Sequence, residues 1–340
     1  MSTAVLSRRE AEHLLQVLAA SGASIRLDKL DKLAASISPD MVPYGLTNLI
    51  TAKIQKIYAS YSDDWKKIVT RGRTDYMDTQ TIEIVESLGM ADELKKSGGE
   101  FNIKHIPDAV PASYAVYGLG NLFEVDMRTL RSDRLGFFDD LSTRIANSMI
   151  SRFQNIVFVD YIQDDPTIYD GYTLFDETYH LNDLDNAGSG VALNYANAVS
   201  AFALGDAFAD AQGEKVGADK YWLATGYENW EPSEQLLGDP DKPDTGNRNI
   251  NAVRRRILGT ILSHKLGWDW YLIADPRQMP GLHMDFFEGK EDPQITMEKK
   301  DSSYQFVRPG YQRWRSDLWV APVWKSKYSA IRGSQNVQPS

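Results

Sequence analysis

Two hydrophobic periods run through this chain, one of three to four residues and one of two, and their alternation divides it into distinct parts. Near the N-terminus, Ser7 and Glu10 form a capping-box pattern ahead of Leu14, Leu15, Val17 and Leu18, which predicts a first helix. A second helix, from about Leu46 to Tyr58, places Leu46, Leu49, Ile50, Ile54 and Ile57 on one face. Both stripes are short and polar linkers such as Ser36 to Asp40 separate them, so this segment reads as an arm that needs another surface to pack on.

From Gly98 to Met127 the period falls to two. Ala115, Tyr117, Leu119, Phe123, Val125 and Met127 share one face, Phe101 and Ile103 lie in an earlier half, and Pro107 to Pro111 interrupts the pairing between them. The pattern predicts a long β-hairpin with its tip at the prolines. An isolated two-stranded hairpin is marginal in water, so this one must lie on its own domain or on another subunit. Phe101, Ile103, Tyr117 and Phe123 are therefore candidate inter-subunit contacts.

The clearest helical pattern follows. Phe138, Leu141, Ile145, Met149, Phe153 and Ile156 recur at spacings of three or four, and Asp139 and Asp140 near the start suit the helix dipole. Beyond a loop-rich stretch from Asp164 to Gly190, a small-residue helix is predicted from Leu193 to Gln212, with Val199, Phe202 and Ala203 turned towards a core. Lys220 to Thr225 reads as a strand, Glu228 to Leu237 as a short helix and Gly238 to Asn249 as a loop. Trp270 to Ala274 reads as a buried strand ended by Asp275 and Pro276, and Gln294 to Val323 as β-structure, with Gln312, Trp314, Ser316 and Leu318 in alternation. The fold class is α+β, without internal repeats.

Composition narrows the function classes. With 340 residues, 42% hydrophobic and 25% charged, the chain is long enough for two domains and ordinary for a folded protein. No stretch approaches the roughly 20 apolar residues of a membrane-spanning helix, and the N-terminal residues lack the apolar core of an export signal, so no membrane partner is expected. The absence of cysteine excludes disulfides, thiolate metal sites and a cysteine nucleophile together. A formal net charge of -10 argues against sequence-independent affinity for nucleic acid.

Candidate chemistry is sparse. None of His13, His105, His180, His264 and His283 stands in a metal-binding spacing, so structural roles are expected. The run Asp183 to Asn194 begins like a calcium loop, but Ala187 and Asn194 occupy ligand positions, and Asp239, Asp241 and Asp244 read as a solvated turn. Gly118 and Gly120 open a GxG pattern whose third glycine is replaced by Phe123. Acidic neighbours such as Asp63 with Asp64 and Asp164 with Asp165 read as exposed loop residues among 47 carboxylates. No catalytic, cofactor-binding or metal-ligating residue is assigned. The basic run Arg254, Arg255 and Arg256 is either a solvated face or a set of salt bridges across a subunit contact.

The order of helical arm, hairpin, long helix, second helix, α/β insertion and return strand resembles the tailed-bacteriophage major capsid proteins with the Hong Kong 97 fold, in particular their Mu-like head-subunit branch. Tyr169 to Asn182 (YDGYTLFDETYHLN) carries the resemblance through Asp170, Gly171, Leu174, Phe175, His180 and Asn182, and so do Trp270 to Pro276 (WYLIADP) and Phe286 to Pro293 (FFEGKEDP).

The resemblance implies an N-terminal arm (1–88), an extended hairpin loop (89–132), a peripheral domain with its spine helix (133–218), an axial domain (219–290), and return strands of the peripheral domain with the C-terminus (291–340). It implies a major capsid protein of a virion, assembled in the bacterial host cytoplasm. Hundreds of copies would form pentamers and hexamers around packaged double-stranded DNA that is not bound in a sequence-specific way. Portal and scaffolding proteins are implied partners, and a decoration protein stays open. The arm ahead of the hairpin is under a hundred residues, so a long scaffolding extension for removal is not expected. An encapsulin-like compartment shell shares the fold and is the nearest alternative; a carbohydrate-active enzyme using the acidic residues and eight tryptophans is the alternative of another class.

Overall fold

The computed structural model describes residues 56–57, 64–84, 109–126, 135–184, 191–210, 213–238, 251–298 and 311–334. The first predicted helix, nearly all of the second, and Phe101, Ile103 and Pro107 lie outside these residues. In chain order the elements are β1 (Val69–Thr74), β2 (Gln80–Ile84), β3 (Val110–Tyr114), β4 (Tyr117–Asp126), α1 (Leu135–Gln154), α2 (Tyr195–Ala207), β5 (Tyr221–Thr225), α3 (Trp230–Gly238), α4 (Val253–Arg256), β6 (Ile257–Leu262), β7 (Trp270–Ala274), β8 (Leu282–Phe287), β9 (Gln294–Met297), β10 (Tyr311–Trp324) and β11 (Ala330–Ser334). Strands open and close this order and the helices fall between them with β5 interleaved, a mixed α+β arrangement.

The apolar stripe read from the sequence is the buried side of α1. Ile145, Met149 and Phe153 are buried on it, joined by Ala146 and Ile150. At Asn155 the helix widens into a π-helical stretch that runs to Gln163 and buries the consecutive Ile156, Val157 and Phe158. The amide of Asp164 closes it on the carbonyl of Val159, five residues back, at 2.8 Å. Periodicity of 3.6 does not anticipate that widening.

Two compact units divide the chain. The first takes the described residues within Met1–Ser62, Tyr117–Phe153 and Lys290–Val320. In it β10 pairs antiparallel with β4, from Tyr311 opposite Asp126 to Val320 opposite Tyr117, and with β9 on its other side. Phe123 stacks on Trp314 across that pairing, 5.7 Å between centroids, and packs with Ile295, Ile57 and Ile145. Gly118 and Gly120 are explained here: Gly118 lies against the ring of its partner Trp319, and a side chain at Gly120 would collide with the Ser316 carbonyl.

This pairing bears on the hairpin reading. The strand of alternating residues forms as expected and pairs with β10 among the described residues, the earlier half with Phe101 and Ile103 lies outside them, and the tip is corrected, because Val110 and Pro111 belong to a strand. Among the described residues a two-stranded ribbon is formed by β2 with β3, from Gln80 opposite Tyr114 to Ile84 opposite Val110. Alternation determines which face a residue occupies; it carries no information about the partner strand.

The second unit takes the described residues within Asp63–Val116, Gln154–Gly289 and Ala321–Ser340. Its main sheet has the order β11-β7-β5-β6, in which β5 pairs parallel with β6 and antiparallel with β7. All five residues of β7 are buried, which is why it reads as an unbroken apolar run. Trp270 fills the core of this unit with Phe202, Tyr221, Leu223 and Leu236, and its indole nitrogen donates to the Val191 carbonyl at 2.7 Å. Gly333 on β11 lies flat against that indole, where any Cβ would overlap the ring.

Asn194 caps α2 by accepting the Asn197 amide at 2.9 Å. The buried stripe of α2 is Ala198, Ala201, Phe202 and Gly205, whereas Val199 and Ala203 face outwards, contrary to expectation. A helix with so many alanines offers two stripes of nearly equal apolarity, and the one that lets its glycine, Gly205, approach Tyr221 and Ile331 is the one used.

Candidate assembly interface

The loop-rich stretch after α1 is built around buried polar side chains. His180 is buried, with Nε2 2.8 Å from Asp170 Oδ2 and Nδ1 3.1 Å from the Leu174 carbonyl. Asn182 is fully buried; its amide donates to the carbonyls of Leu174 at 2.8 Å, Ala330 at 3.1 Å and Lys327 at 3.3 Å, and its oxygen accepts the Asp176 amide at 3.0 Å. One side chain thus ties the loop to β11.

Arg332 on β11 binds Asp183 through both Nε and Nη2, and reaches Asp165 at 3.1 Å through Nη1. Asp165, in the left-handed region with φ 52°, accepts the Phe175 amide at 2.8 Å. Burial pushes its carboxyl pKa up, and the Phe175 amide and Arg332 only partly offset this. The exposed reading of Asp165 is therefore corrected, since it is held inside by an arginine far away in sequence. These bonds join the loop to β11 and so organise the subunit.

The β2–β3 ribbon is its opposite. It forms a two-stranded sheet on its own, and Ala112 alone among its residues is buried. At its root the Tyr114 hydroxyl donates to Asp285 Oδ2 at 2.6 Å, and Asp285 Oδ1 lies 3.0 Å from His283 Nε2. Gly72 of β1 closes over this pair so tightly that a Cβ would overlap the Asp285 carboxylate. Burial works against ionisation of Asp285, but hydrogen bonds from His283 and Tyr114 outweigh it and hold its pKa below the usual carboxylate range. Burial and the Asp285 hydrogen bond push the Tyr114 hydroxyl well above its ordinary value, so it stays a donor.

The sequence candidates fall in different surroundings. Tyr117 begins β4 and is half-buried, and Phe123 is packed within its own subunit. Arg256 turns inwards, with a two-pronged ion pair to Asp206 at 2.7 and 2.8 Å and its guanidinium 4.6 Å from the centre of the Phe202 ring. Arg254 and Arg255 are exposed, and among the described residues no carboxylate pairs with either. The structure therefore separates one arginine of the run from the other two.

Over residues 110–329, from the first residue of β3 to the residue before β11, the sequence matches the family of phage capsid proteins. The chain belongs to that family. No curated protein matches the capsid protein. Among solved structures it is similar to a chain from Microbacterium phage Oxtober96, at 14% identity and a TM-score of 0.52, over 82% of this chain and 92% of that one. Similarity to a chain from Mycobacterium phage Bobi has the same TM-score of 0.52 and the same coverages, 82% and 92%, at 9% identity. A looser likeness, with a TM-score of 0.45 at 11% identity, is to a virus-like particle from Pyrococcus furiosus, over 83% of this chain and 97% of that chain. The two phage structures share the fold of the capsid protein, the Hong Kong 97-type α+β fold that the element order implies.

Sequence reasoning missed Arg332, Tyr114 and Asp285 as organising residues of the capsid protein. None stands in a motif, and each acts through a partner more than a hundred positions away, the nearest signal being the His283–x–Asp285 spacing on one face of a strand. Among the described residues, no helix is long and apolar enough to cross a membrane.

Proposed function

We propose that the capsid protein builds the pentamers and hexamers of an icosahedral head around double-stranded DNA, assembling in the host cytoplasm with a portal and a separate scaffolding protein. Residues 133–218 with 291–340 serve as the peripheral domain. Residues 219–290 serve as the axial domain, which meets its neighbours head-to-tail around fivefold and sixfold axes, the heterologous contact that closes into rings. The net charge of -10 suits a wall that confines DNA without binding it. No catalytic step is assigned to any residue.

The observation that carries this reading is the ribbon. Ten residues pair in a regular ladder, yet one face (Thr81, Glu83, Pro111 and Ser113) is fully open and the other, around Ala112, is mostly only half-buried. Two-stranded ribbons gain stability from what they lie on, and a neighbouring subunit completes this one. Changing the paired Ile84 and Val110 to glutamate together should leave a folded subunit, melting within about 1 kcal/mol of the parent because neither position is fully buried. Negative-stain images of the double variant should lack closed shells. Shells of normal size and number would sink the ribbon argument.

A further inference from the structure

The short helix α3 is amphipathic in an unusual sense. Its inner side holds Ser233 and Leu236, both buried, as is Asn229 in the 3-10 turn (Tyr227–Asn229) that leads into it. On its outer side Trp230, Glu231 and Glu234 are exposed, Trp230 by 55%, and Tyr227 of the preceding turn is exposed beside them by 47%. Glu228 is exposed beside them, and the ring of Tyr227 stacks on His264 at 4.0 Å. Carboxylates at a helix start suit its dipole, which accounts for Glu231 but not for a tryptophan left in water. Among the described residues no cation pairs with Glu228, Glu231 or Glu234; Glu231 receives only a 3.4 Å hydrogen bond from Gln235.

The same unit carries the complementary surface. Arg254 and Arg255 project from α4, and the next exposed apolar residue, Leu258, lies on β6, the edge strand of the main sheet. Their base is rigid, because Arg256 is clamped by Asp206 and by the Ala218 carbonyl at 3.2 Å. The base of α3 is equally fixed: Asn229 donates to the Trp268 carbonyl at 2.7 Å, and Asn251 donates to the Leu236 carbonyl at 2.8 Å. Both surfaces are thus held in place before any contact, which lowers the entropy lost on binding.

We infer that the outer face of α3, with Tyr227, Trp230, Glu231 and Glu234, is covered in the assembled shell by Arg254 and Arg255 of a second copy of this chain. Tryptophan, tyrosine and arginine are the residues that dominate protein interfaces. An arginine over an exposed indole between carboxylates gains from both the ring face and the charge. The occupant is a second copy because the charges match: an aromatic, acidic face and a basic one on the same unit stay unpaired with each other within the subunit. This rests on the shell reading given above and names the residues of its axial contact.

The test is charge exchange in the full-length protein. One variant carries Glu231→Arg and Glu234→Arg, a second carries Arg254→Glu and Arg255→Glu, and a third carries all four. The first two should melt like the parent and require a protein concentration roughly tenfold or more higher to assemble, because like charges then face each other. The third should regain assembly, followed by sedimentation and negative-stain counting of shells. Normal assembly of the first two marks a solvated face and overturns the inference. So does a third variant that assembles no better than the others. Failure of the parent to form shells when produced with its neighbouring phage genes overturns the shell reading and this contact with it, whereas failure confined to the exchange leaves the shell reading intact.

Discussion

The loop from Asp165 to Leu184 and the β2–β3 ribbon satisfy their polar groups in opposite ways. The loop has almost no regular backbone pairing, yet His180, Asn182, Asp183 and Phe175 are shut inside it and bonded to one another or to β11. The ribbon has a complete ladder and almost nothing buried. Regularity of the backbone therefore says little about how independent a segment is. The loop is finished within one subunit. On the proposal that a neighbouring subunit finishes the ribbon, substitutions should divide accordingly, with the loop failing in folding and the ribbon failing in assembly.

The largest effect is expected at Arg332. Its change to methionine keeps the aliphatic bulk but leaves Asp165 and Asp183 buried without their cation, at a cost of about 3–5 kcal/mol. Thermal melting measures that loss. The sign of its pH dependence sharpens the test. Burial already pushes the Asp165 carboxyl up, and without Arg332 nothing but the Phe175 amide opposes it. A carboxyl whose folded pKa is raised gains stability as pH falls through that value, because the folded form then binds the proton more readily. The variant should thus recover part of its stability on mild acidification. A variant that keeps losing stability instead would show that these two carboxylates do not depend on Arg332.

Asn182→Leu comes next. It removes the buried bonds to the Leu174 and Ala330 carbonyls and the acceptor of the half-buried Asp176 amide, while His180 still reaches the Leu174 carbonyl, for a total of about 1–3 kcal/mol. Limited proteolysis should then cut within the loop, while an intact β4–β10 pairing in the other unit resists. Equal protection of the loop in variant and parent would place its stability elsewhere.

How much of this was legible depends on the distance over which partners act. The stripe on α1 and the apolar run of β7 are local patterns, and both formed where read. β1 (VTRGRT), β8 (LHMDFF) and β11 (AIRGS) went unread because each carries polar residues into a buried place. His283 and Asp285 are matched by Tyr114, and Arg332 by Asp165 and Asp183, all remote in sequence. The loop-rich reading of Asp164 to Gly190 was correct over its described residues, and Asp170, Leu174, His180 and Asn182 are members of the loop's network. What those residues hold, namely β11, no spacing could reveal. The tip at Pro107 to Pro111 was misplaced for the same reason, because a period of two is blind to the partner of Val110 and Pro111.

The smallest effect is expected where the two kinds of region meet, at the root of the ribbon. Tyr114→Phe removes one hydrogen bond to an ionised acceptor in a half-buried setting, worth about 1–2 kcal/mol. Its pH dependence runs opposite to that of the arginine variant. The folded pKa of Asp285 is depressed, so its contribution is present above the ordinary carboxyl value of about 3.9 and is lost as pH falls through the folded value. Without the tyrosine hydroxyl one of the two bonds holding that pKa down is gone. The gap in stability between parent and Tyr114→Phe should therefore be full near neutral pH and close as pH falls below about 4. A gap that stays constant into acid would mean that the hydroxyl acts through packing alone, and that the ribbon is rooted by Ala112 and its neighbours instead of by charge.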